Sequence, residues 1–342
     1  MTEASMIGLD LAKTTFQVHG ASADGSVAFR RKLSRRKVLT FLAEQPRCTV
    51  AMEACASAHF WGRSIRELGH AVRLVPPVYV KPFVKRQKND AADAEAIAEA
   101  ASRPTMRFVD VKSEPKQARG VAFKTRALLV RQRTQTINAL RGNLAEFGVV
   151  APQGPAHVER LRAVVADPDT SLPAAVVGPA RMLLEQIDSL TAQIAALDRD
   201  IQQTARQHDS TRRLMDIPGV GPMCAAAVDA FAPAMTSFRN GRDFAAWLGL
   251  TPRQHSTGGK SRLGGISKMG QRDLRRLLIV GAMTVVRWAA RRGAPEGSWL
   301  ARMLARKPRK VVAVALANKN ARIIWALLTR GDAYRDPAAA MA

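Results

Sequence analysis

The sequence predicts an α/β amino-terminal domain, then a region of long helices, then a mainly helical carboxy-terminal domain. Three observations carry this. Up to Pro115, short apolar runs alternate with amphipathic stretches, the pattern of strands covered by helices on both faces of a sheet. Past Pro115 the apolar period becomes that of long helices. From Thr211 onward the chain reads as helical, interrupted by a glycine-rich stretch over 258–270. The expected divisions are therefore 1–115, 116–210 and 211–330, with a short Ala-rich tail at 331–342.

Each element has its own signal. Met6-Ile-Gly-Leu-Asp10-Leu is a short apolar strand, Phe16 to His19 a second, and the Ala23-Asp-Gly25 turn leads into a third over 27–33, a hairpin or meander. A helix is expected around 36–44, a strand at 48–52, a helix over 57–68 closed by Gly69, and a strand at 71–75 stopped by Pro76-Pro77. Residues 119–147 form one long basic helical stretch with Gly148 as its stop, and 149–179 read as a Pro/Gly-bearing linker. Leu183, Ile187, Leu190, Ile194, Leu197 and Ile201 then recur at alternating spacings of four and three. That is a heptad seam, suited to a coiled-coil hairpin or a contact between two copies of the chain.

Composition narrows the function. The chain has 342 residues, 47% of them hydrophobic and 24% charged, with 53 Lys and Arg against 28 Asp and Glu, a net charge of +25. This is globular composition with length for two or three domains. The longest apolar runs, such as 277–286, fall short of a membrane span. No secretion signal is visible, and Cys48, Cys55 and Cys224 have no metal-type spacing. A cytoplasmic protein without a membrane partner is expected. The charge is concentrated: residues 211–330 hold 22 Lys and Arg against 5 Asp and Glu. A field of that sign attracts a polyanion, and nucleic acid is the expected partner.

Four acids stand out. Asp10 ends the first strand, Glu53 ends a later one, and Asp90 and Asp93 lie three apart in an Ala-rich helix former, on one helix face. Asn89 or Asp90 is also placed to cap that helix. Glu95 and Glu99 point to other faces and are expected to be solvated. Carboxylates gathered at strand ends repel one another until a hard cation such as Mg²⁺ joins them, and Mg²⁺ is suited to substrate phosphates as well. Caps and solvated charges are the plainer alternative for any one of them.

With these residues in view, a resemblance is specific. Gly-Leu-Asp10-Leu-Ala-Lys13, Met-Glu53-Ala-Cys-Ala-Ser-Ala-His-Phe-Trp61 and Lys-Asn-Asp90-Ala-Ala-Asp93-Ala resemble the RuvC-like (ribonuclease H-like) DEDD domain of a bacterial transposase group, insertion-sequence family one-hundred-and-ten, in its eleven-eleven branch. The resemblance implies that Asp10, Glu53, Asp90 and Asp93 are the family's four acids. It also implies that this domain contacts a guide (bridge) RNA transcribed from the element, and that the enzyme works as a homo-oligomer, a dimer or tetramer. The seam at 183–201 is the natural place for that contact, which Leu190→Asp is expected to break.

Two further motifs lie in the basic third. Leu214-Met-Asp-Ile-Pro218-Gly219-Val220-Gly221-Pro-Met resembles a helix-hairpin-helix, whose turn amides face a phosphate with no side chain in the way. A plain interhelical turn is the alternative. The densest motif runs Arg253-Gln-His255-Ser256-Thr257-Gly258-Gly259-Lys260-Ser261-Arg262, then Ser267-Lys268-Met-Gly270-Gln-Arg272. Hydroxyls beside glycines let backbone approach closely, and Arg253, Lys260, Arg262, Lys268 and Arg272 supply charge suited to a phosphodiester oxyanion. By residue chemistry alone this is either a nucleophile loop or a phosphate-binding loop in which Ser256 and Thr257 only donate hydrogen bonds.

The family resemblance implies a serine that attacks DNA and forms a phosphoserine link. Matching backward from Ser267-Lys268-Met-Gly270 selects Ser256, and matching forward from Leu250-Thr-Pro-Arg253 selects Thr257. Because the family residue is a serine, Ser256 is the expected nucleophile, with Ser261 a weaker candidate. The implied function is an RNA-guided recombinase acting on donor and target DNA. Two other functions compete: a Mg²⁺-dependent Holliday-junction nuclease using the acids on water, and an inactive nucleic-acid-binding protein. Trp288, Trp299 and Trp325 are expected in the core.

Overall fold

A computed structural model describes residues 3–85 and 90–335, with Asp90 described by its backbone alone. The chain divides into two compact units, Met1–Pro115 and Lys116–Ala342.

The first unit holds strands β1 (Met6–Asp10), β2 (Thr15–Ala21), β3 (Val27–Ser34), β4 (Thr49–Glu53) and β5 (Ala71–Val75), with helices α1 (Val38–Ala43), α2 (Ala58–Glu67), the short α3 (Pro77–Val80) and α4 (Asp90–Ser102). The strands form one mixed sheet in the order β3-β2-β1-β4-β5. β1, β2 and β3 pair antiparallel, whereas β4 pairs parallel with both β1 and β5.

Alternation along the strands assigns the two faces. Ile7, Leu9, Val50 and Met52 pack with Val38 and Leu42 of α1 and Ala58, Trp61 and Ile65 of α2. The intervening residues face α4: Ala51 and Val75 pack with Ala96, Ile97, Ala100 and Ala101. Gly8 is the close-approach point on that face, because a Cβ there would collide with the Ala94 carbonyl and lie 2.9 Å from the Ala98 Cβ.

The second unit begins with α5 (Glu114–Ala145), α6 (Val158–Ala166) and α7 (Ala174–Gln207). Residues 149–179 are therefore not simply a linker: they contain α6 and the start of α7, with Pro179 inside the helix. Helix α7 runs antiparallel along α5. Arg126 pairs with Asp198, Arg133 reaches Thr191 at 3.4 Å, and Ile137, Leu140 and Leu144 pack with Ile187, Leu184 and Ala180. Of the two uses expected of the seam, the hairpin is the one observed, and the contact between copies is corrected. Leu190 is only 3% exposed and Ile194 4% within the single chain, and Leu184 rather than Leu183 takes the buried position. The heptad pattern is used by an intrachain helical hairpin, and each leucine so buried is worth about 1.5–3 kcal/mol to it. Leu190 is not free to contact another copy.

Helices α8 (Asp209–Leu214), α9 (Pro222–Phe231), α10 (Gly241–Trp247), α11 (Arg272–Arg292), α12 (Trp299–Arg306) and α13 (Arg309–Arg330) complete the unit, together with a two-stranded ribbon of β6 (Pro252–Gln254) and β7 (Leu263–Ile266). Helix α13 is long and apolar enough to cross a membrane by length and composition, beyond the run lengths read from the sequence. Its buried residues Val312, Leu316, Ala317, Ile324 and Leu327 belong to the same core as Leu278, Ala282 and Val286 of α11. Trp288 is not a core residue: it is 55% exposed, with the Arg292 guanidinium over its ring.

Candidate nucleic-acid-processing sites

The acidic site follows from strand parity and register. Asp10 and Glu53 are the last residues of β1 and β4. Leu9 is opposite Met52 in the parallel pair, so the next residues, Asp10 and Glu53, end adjacent strands side by side. Both have the parity of Gly8 and Ala51 and so face α4. Asp93 is in the first turn of α4, one turn before the fully buried Ile97. Its proximity is felt electrostatically: burial raises the Glu53 carboxyl above its ordinary value, and the Asp93 charge raises it further. The structure thus sets Asp10 beside Glu53, with Asp93 near enough for its charge to act on Glu53. The side chain of Asp90 and the residue Asn89 lie outside the described residues.

Among the described residues, no group of three or more His, Cys, Asp or Glu side chains forms a ready-made metal cage. The donor chemistry of the site nevertheless suits a hard divalent cation, because carboxylate oxygens that repel one another are what such an ion joins. The Glu53 shift has a testable sign. A carboxyl with a raised folded-state value binds its proton more tightly in the folded chain, so stability falls as pH rises above the ordinary carboxylate range. Without divalent cations, Glu53→Gln should therefore melt at a higher temperature than the parent at neutral pH, and the gain should vanish in acid. A gain of the same size at both pH values would show that charge is not its cause.

Sequence reasoning missed the role of Glu95. Instead of being solvated it is held by Arg30 of β3 at 2.8 Å and Lys85 at 2.5 Å. Those cations draw its carboxyl below its ordinary value. Glu99 likewise pairs with Arg103, at 2.9 Å.

The hydroxyl-rich motif forms the β6–β7 ribbon. Gln254 is opposite Leu263, His255 N–H donates to the Arg262 carbonyl at 2.8 Å, and Thr257 bridges Lys260. Gly258 and Gly259 turn the tip with φ of +54° and +76°, the sign a tight two-residue hairpin turn demands at both positions. Alternation along the ladder places Ser256 across from Ser261 on one face, and His255, Thr257, Lys260 and Arg262 on the other. Every residue from Pro252 to Gly265 is exposed.

The root of the ribbon is fixed to the helical core. Arg253 donates to the Ser267 carbonyl at 3.2 Å, and Ser267 N–H to the Thr251 carbonyl at 2.8 Å. Lys268 adopts φ +57°, and Gly270 passes so close to the Trp247 carbonyl that a Cβ would collide with it. Behind them, Arg275 of α11 is only 8% exposed and donates to the carbonyls of Leu248 and Met269, each at 2.8 Å. Asn318 of α13 donates to Leu250 at 3.2 Å. Nothing in the sequence singles out Arg275, because both carbonyls that it holds belong to residues that precede its helix.

The Pro-Gly turn links α8 to α9. Gly219 has φ +86° and lies backbone to backbone with Gly281 of α11, where a Cβ on either would clash. The buried Asn320 of α13 donates to the Pro218 carbonyl at 2.8 Å. Pro218 and Gly221 remain exposed.

A sheet with acids at the ends of adjacent parallel strands, in a chain whose basic charge is gathered in a helical part, belongs to the class of enzymes that process nucleic-acid strands. Comparison with known proteins makes this particular. A family model described as transposase, specific to the DEDD type of IS110, matches residues 7–148, and the model described as transposase IS116/IS110/IS902 family matches residues 211–295. A probable family 20 transposase of Pseudomonas aeruginosa is 52% identical over 97% of this chain and 98% of its own length. The transposase for insertion sequence element IS1328 of Yersinia enterocolitica is 40% identical over 98% of this chain and 99% of its own length. That for IS1111A of Coxiella burnetii is 37% identical over 98% of this chain and 92% of its own length. The chain belongs to the IS110/IS116/IS902 family of insertion-sequence transposases, enzymes that cleave and transfer DNA. A DEDD-type transposase domain generally implies a divalent metal.

Proposed function

We propose that this transposase cuts and rejoins DNA through a covalent phosphoserine, with Ser256 as nucleophile and Asp10, Glu53, Asp90 and Asp93 as the ligands of Mg²⁺. The observation that carries the acidic half is the placement of Asp10 and Glu53 at adjacent strand ends facing α4, with Glu53 raised by burial and by the Asp93 charge. When bound, the ion would supply Lewis-acid stabilisation of charge on the phosphate oxygens. The strand order β3-β2-β1-β4-β5, with its antiparallel half and parallel half, supports a RuvC-like, ribonuclease H-like reading of the first unit.

The serine step balances without ATP. The Ser256 hydroxyl forms an Oγ–P bond as one P–O bond to a sugar breaks, and the serine proton is passed to the departing sugar oxygen. A hydroxyl from the exchanged strand then reverses the step, so one phosphodiester is lost and one made. Lys260, Arg262, Lys268 and Arg272 offset phosphate charge, with Arg253 divided between this role and its hold on Ser267. The Gly258–Gly259 turn keeps the tip free of side chains. The turn of Pro218, Gly219 and Gly221, exposed at Pro218 and Gly221, grips backbone phosphate as a helix-hairpin-helix. Guidance by an RNA from the element, a homo-oligomeric assembly, and functional domains at 1–115, 116–210 and 211–330 belong to the same reading.

Thr257 is the second candidate nucleophile, favoured by its place on the ribbon face of Lys260 and Arg262. A trapping assay decides between them. Protein, element RNA, Mg²⁺ and labelled donor and target DNA are incubated, and protein-linked DNA is sought on denaturing gels. The covalent band should vanish in Ser256→Ala and persist in Thr257→Ala; the reverse would move the nucleophile to Thr257. Cleavage with no covalent band, surviving Ser256→Ala and abolished by Asp10→Ala, would establish the nuclease instead.

A further inference from the structure

We propose that Gln17 and Lys32 extend the acidic site into a track for the DNA strand bearing the scissile phosphate, Lys32 pairing with a nearby phosphate and Gln17 donating between. The inference rests on the reading that Asp10 and Glu53 act on DNA. Its ground is register. Asp10 is opposite Gln17, Gln17 is opposite Lys32, and Glu53 lies beside Asp10 on its other flank. Glu53, Asp10, Gln17 and Lys32 therefore form one row across four strands.

The row has a definite face. Gly8 meets α4, and Arg30, two residues from Lys32 on β3, reaches Glu95 of α4 at 2.8 Å. His19, two residues from Gln17, is 4% exposed, and the Glu95 charge acts on it. By alternation Gln17 and Lys32 lie on that same α4 face as the acids. Lys32 is two strand spacings from Asp10, about 10 Å, a span that a nucleic-acid backbone covers within a few nucleotides. It is exposed and has no ion pair among the described residues, whereas Arg30 on the same face is occupied by Glu95. Lys32 is thus the row's available cation, and Gln17, half-buried between cation and acids, supplies an uncharged donor.

Lysines on edge strands also guard against unwanted strand pairing, a role any charge fills. The test separates the two. Full-length protein is titrated against a labelled duplex carrying the insertion sequence's own end, over a salt series without divalent cations. Cleavage of the same duplex is then followed with Mg²⁺ and the element RNA. Lys32→Ala should weaken binding roughly fivefold and lower the salt slope by about one. It should raise KM while kcat stays within about twofold. Lys32→Arg should restore both, Lys32→Glu should be worse than alanine, and Gln17→Ala should show a smaller loss.

If Lys32→Glu matches the parent in affinity, slope and KM while Asp10→Asn is inactive, the track is wrong and the acid site stands. If Asp10→Asn cleaves like the parent, the acid-site reading fails and the track with it. If Lys32→Glu weakens binding of the RNA while duplex affinity and KM hold, the strand served is not the one proposed.

Discussion

Asp10→Asn should lower strand cleavage by on the order of a thousandfold, about 4 kcal/mol of transition-state stabilisation, while the protein folds and binds DNA as before. Asp10 ends β1 beside Glu53 on β4, and these two with Asp93 are the described residues of the proposed four-acid site. The amide is almost the same size, so packing under α4 is kept. It removes one carboxylate from beside Glu53, whose own carboxyl is raised by burial and then by the Asp93 charge. A hard cation bound by carboxylates is lost faster than the fold is disturbed. Gel-based cleavage across a Mg²⁺ series, with the melting temperature as the control for folding, checks this. Cleavage within tenfold of the parent at saturating Mg²⁺ would remove Asp10 from the machinery.

Gly8→Val should be nearly as damaging by a different route. The backbone of β1 touches α4 there, with the Ala94 carbonyl in the space a Cβ would need and the Ala98 N at 3.0 Å. Backbone cannot yield as a flexible side chain would, so the helix must lift from the sheet. Overpacking costs about 1–3 kcal/mol, and the lift also carries Asp93 away from Glu53. Cleavage should fall by roughly a hundredfold, since small misplacements at a reacting centre carry penalties of that order. Melting temperature and activity measured on one preparation decide the matter. A variant that melts several degrees lower and retains full cleavage would mean that α4 does not position the acids.

Much of this was legible in the residues. The strands of the first unit announced themselves because Met6-Ile-Gly-Leu-Asp10 and Thr49-Val-Ala-Met-Glu53 are apolar runs ending in an acid, and a buried parallel strand needs no polar alternation. What was not legible depends on partners distant in sequence. Pro173, Gly178 and Pro179 suggested a linker, yet α7 starts at Ala174 and Pro179 is tolerated inside it. The heptad seam was visible, but a period cannot say whether its partner is α5 or another chain. Glu95 looked solvated and Arg275 drew no reading, because their partners, Arg30 and Lys85 for one and two backbone carbonyls for the other, appear only once the chain is folded.

The β6–β7 ribbon has a consequence for when the enzyme becomes dangerous. Its root is fastened by Arg275 and Asn318, but from Pro252 to Gly265 no side chain is buried. An isolated pair of strands in water is marginal, and fixing each residue in one conformation costs about 1–2 kcal/mol. If the ribbon carries the nucleophile as proposed, contacts with nucleic acid supply the free energy that aims the tip. A protein that carries its proposed nucleophile in this way holds it unaimed until a substrate arrives, so the decision to break a chromosome rests with the DNA that docks and not with the folded enzyme alone.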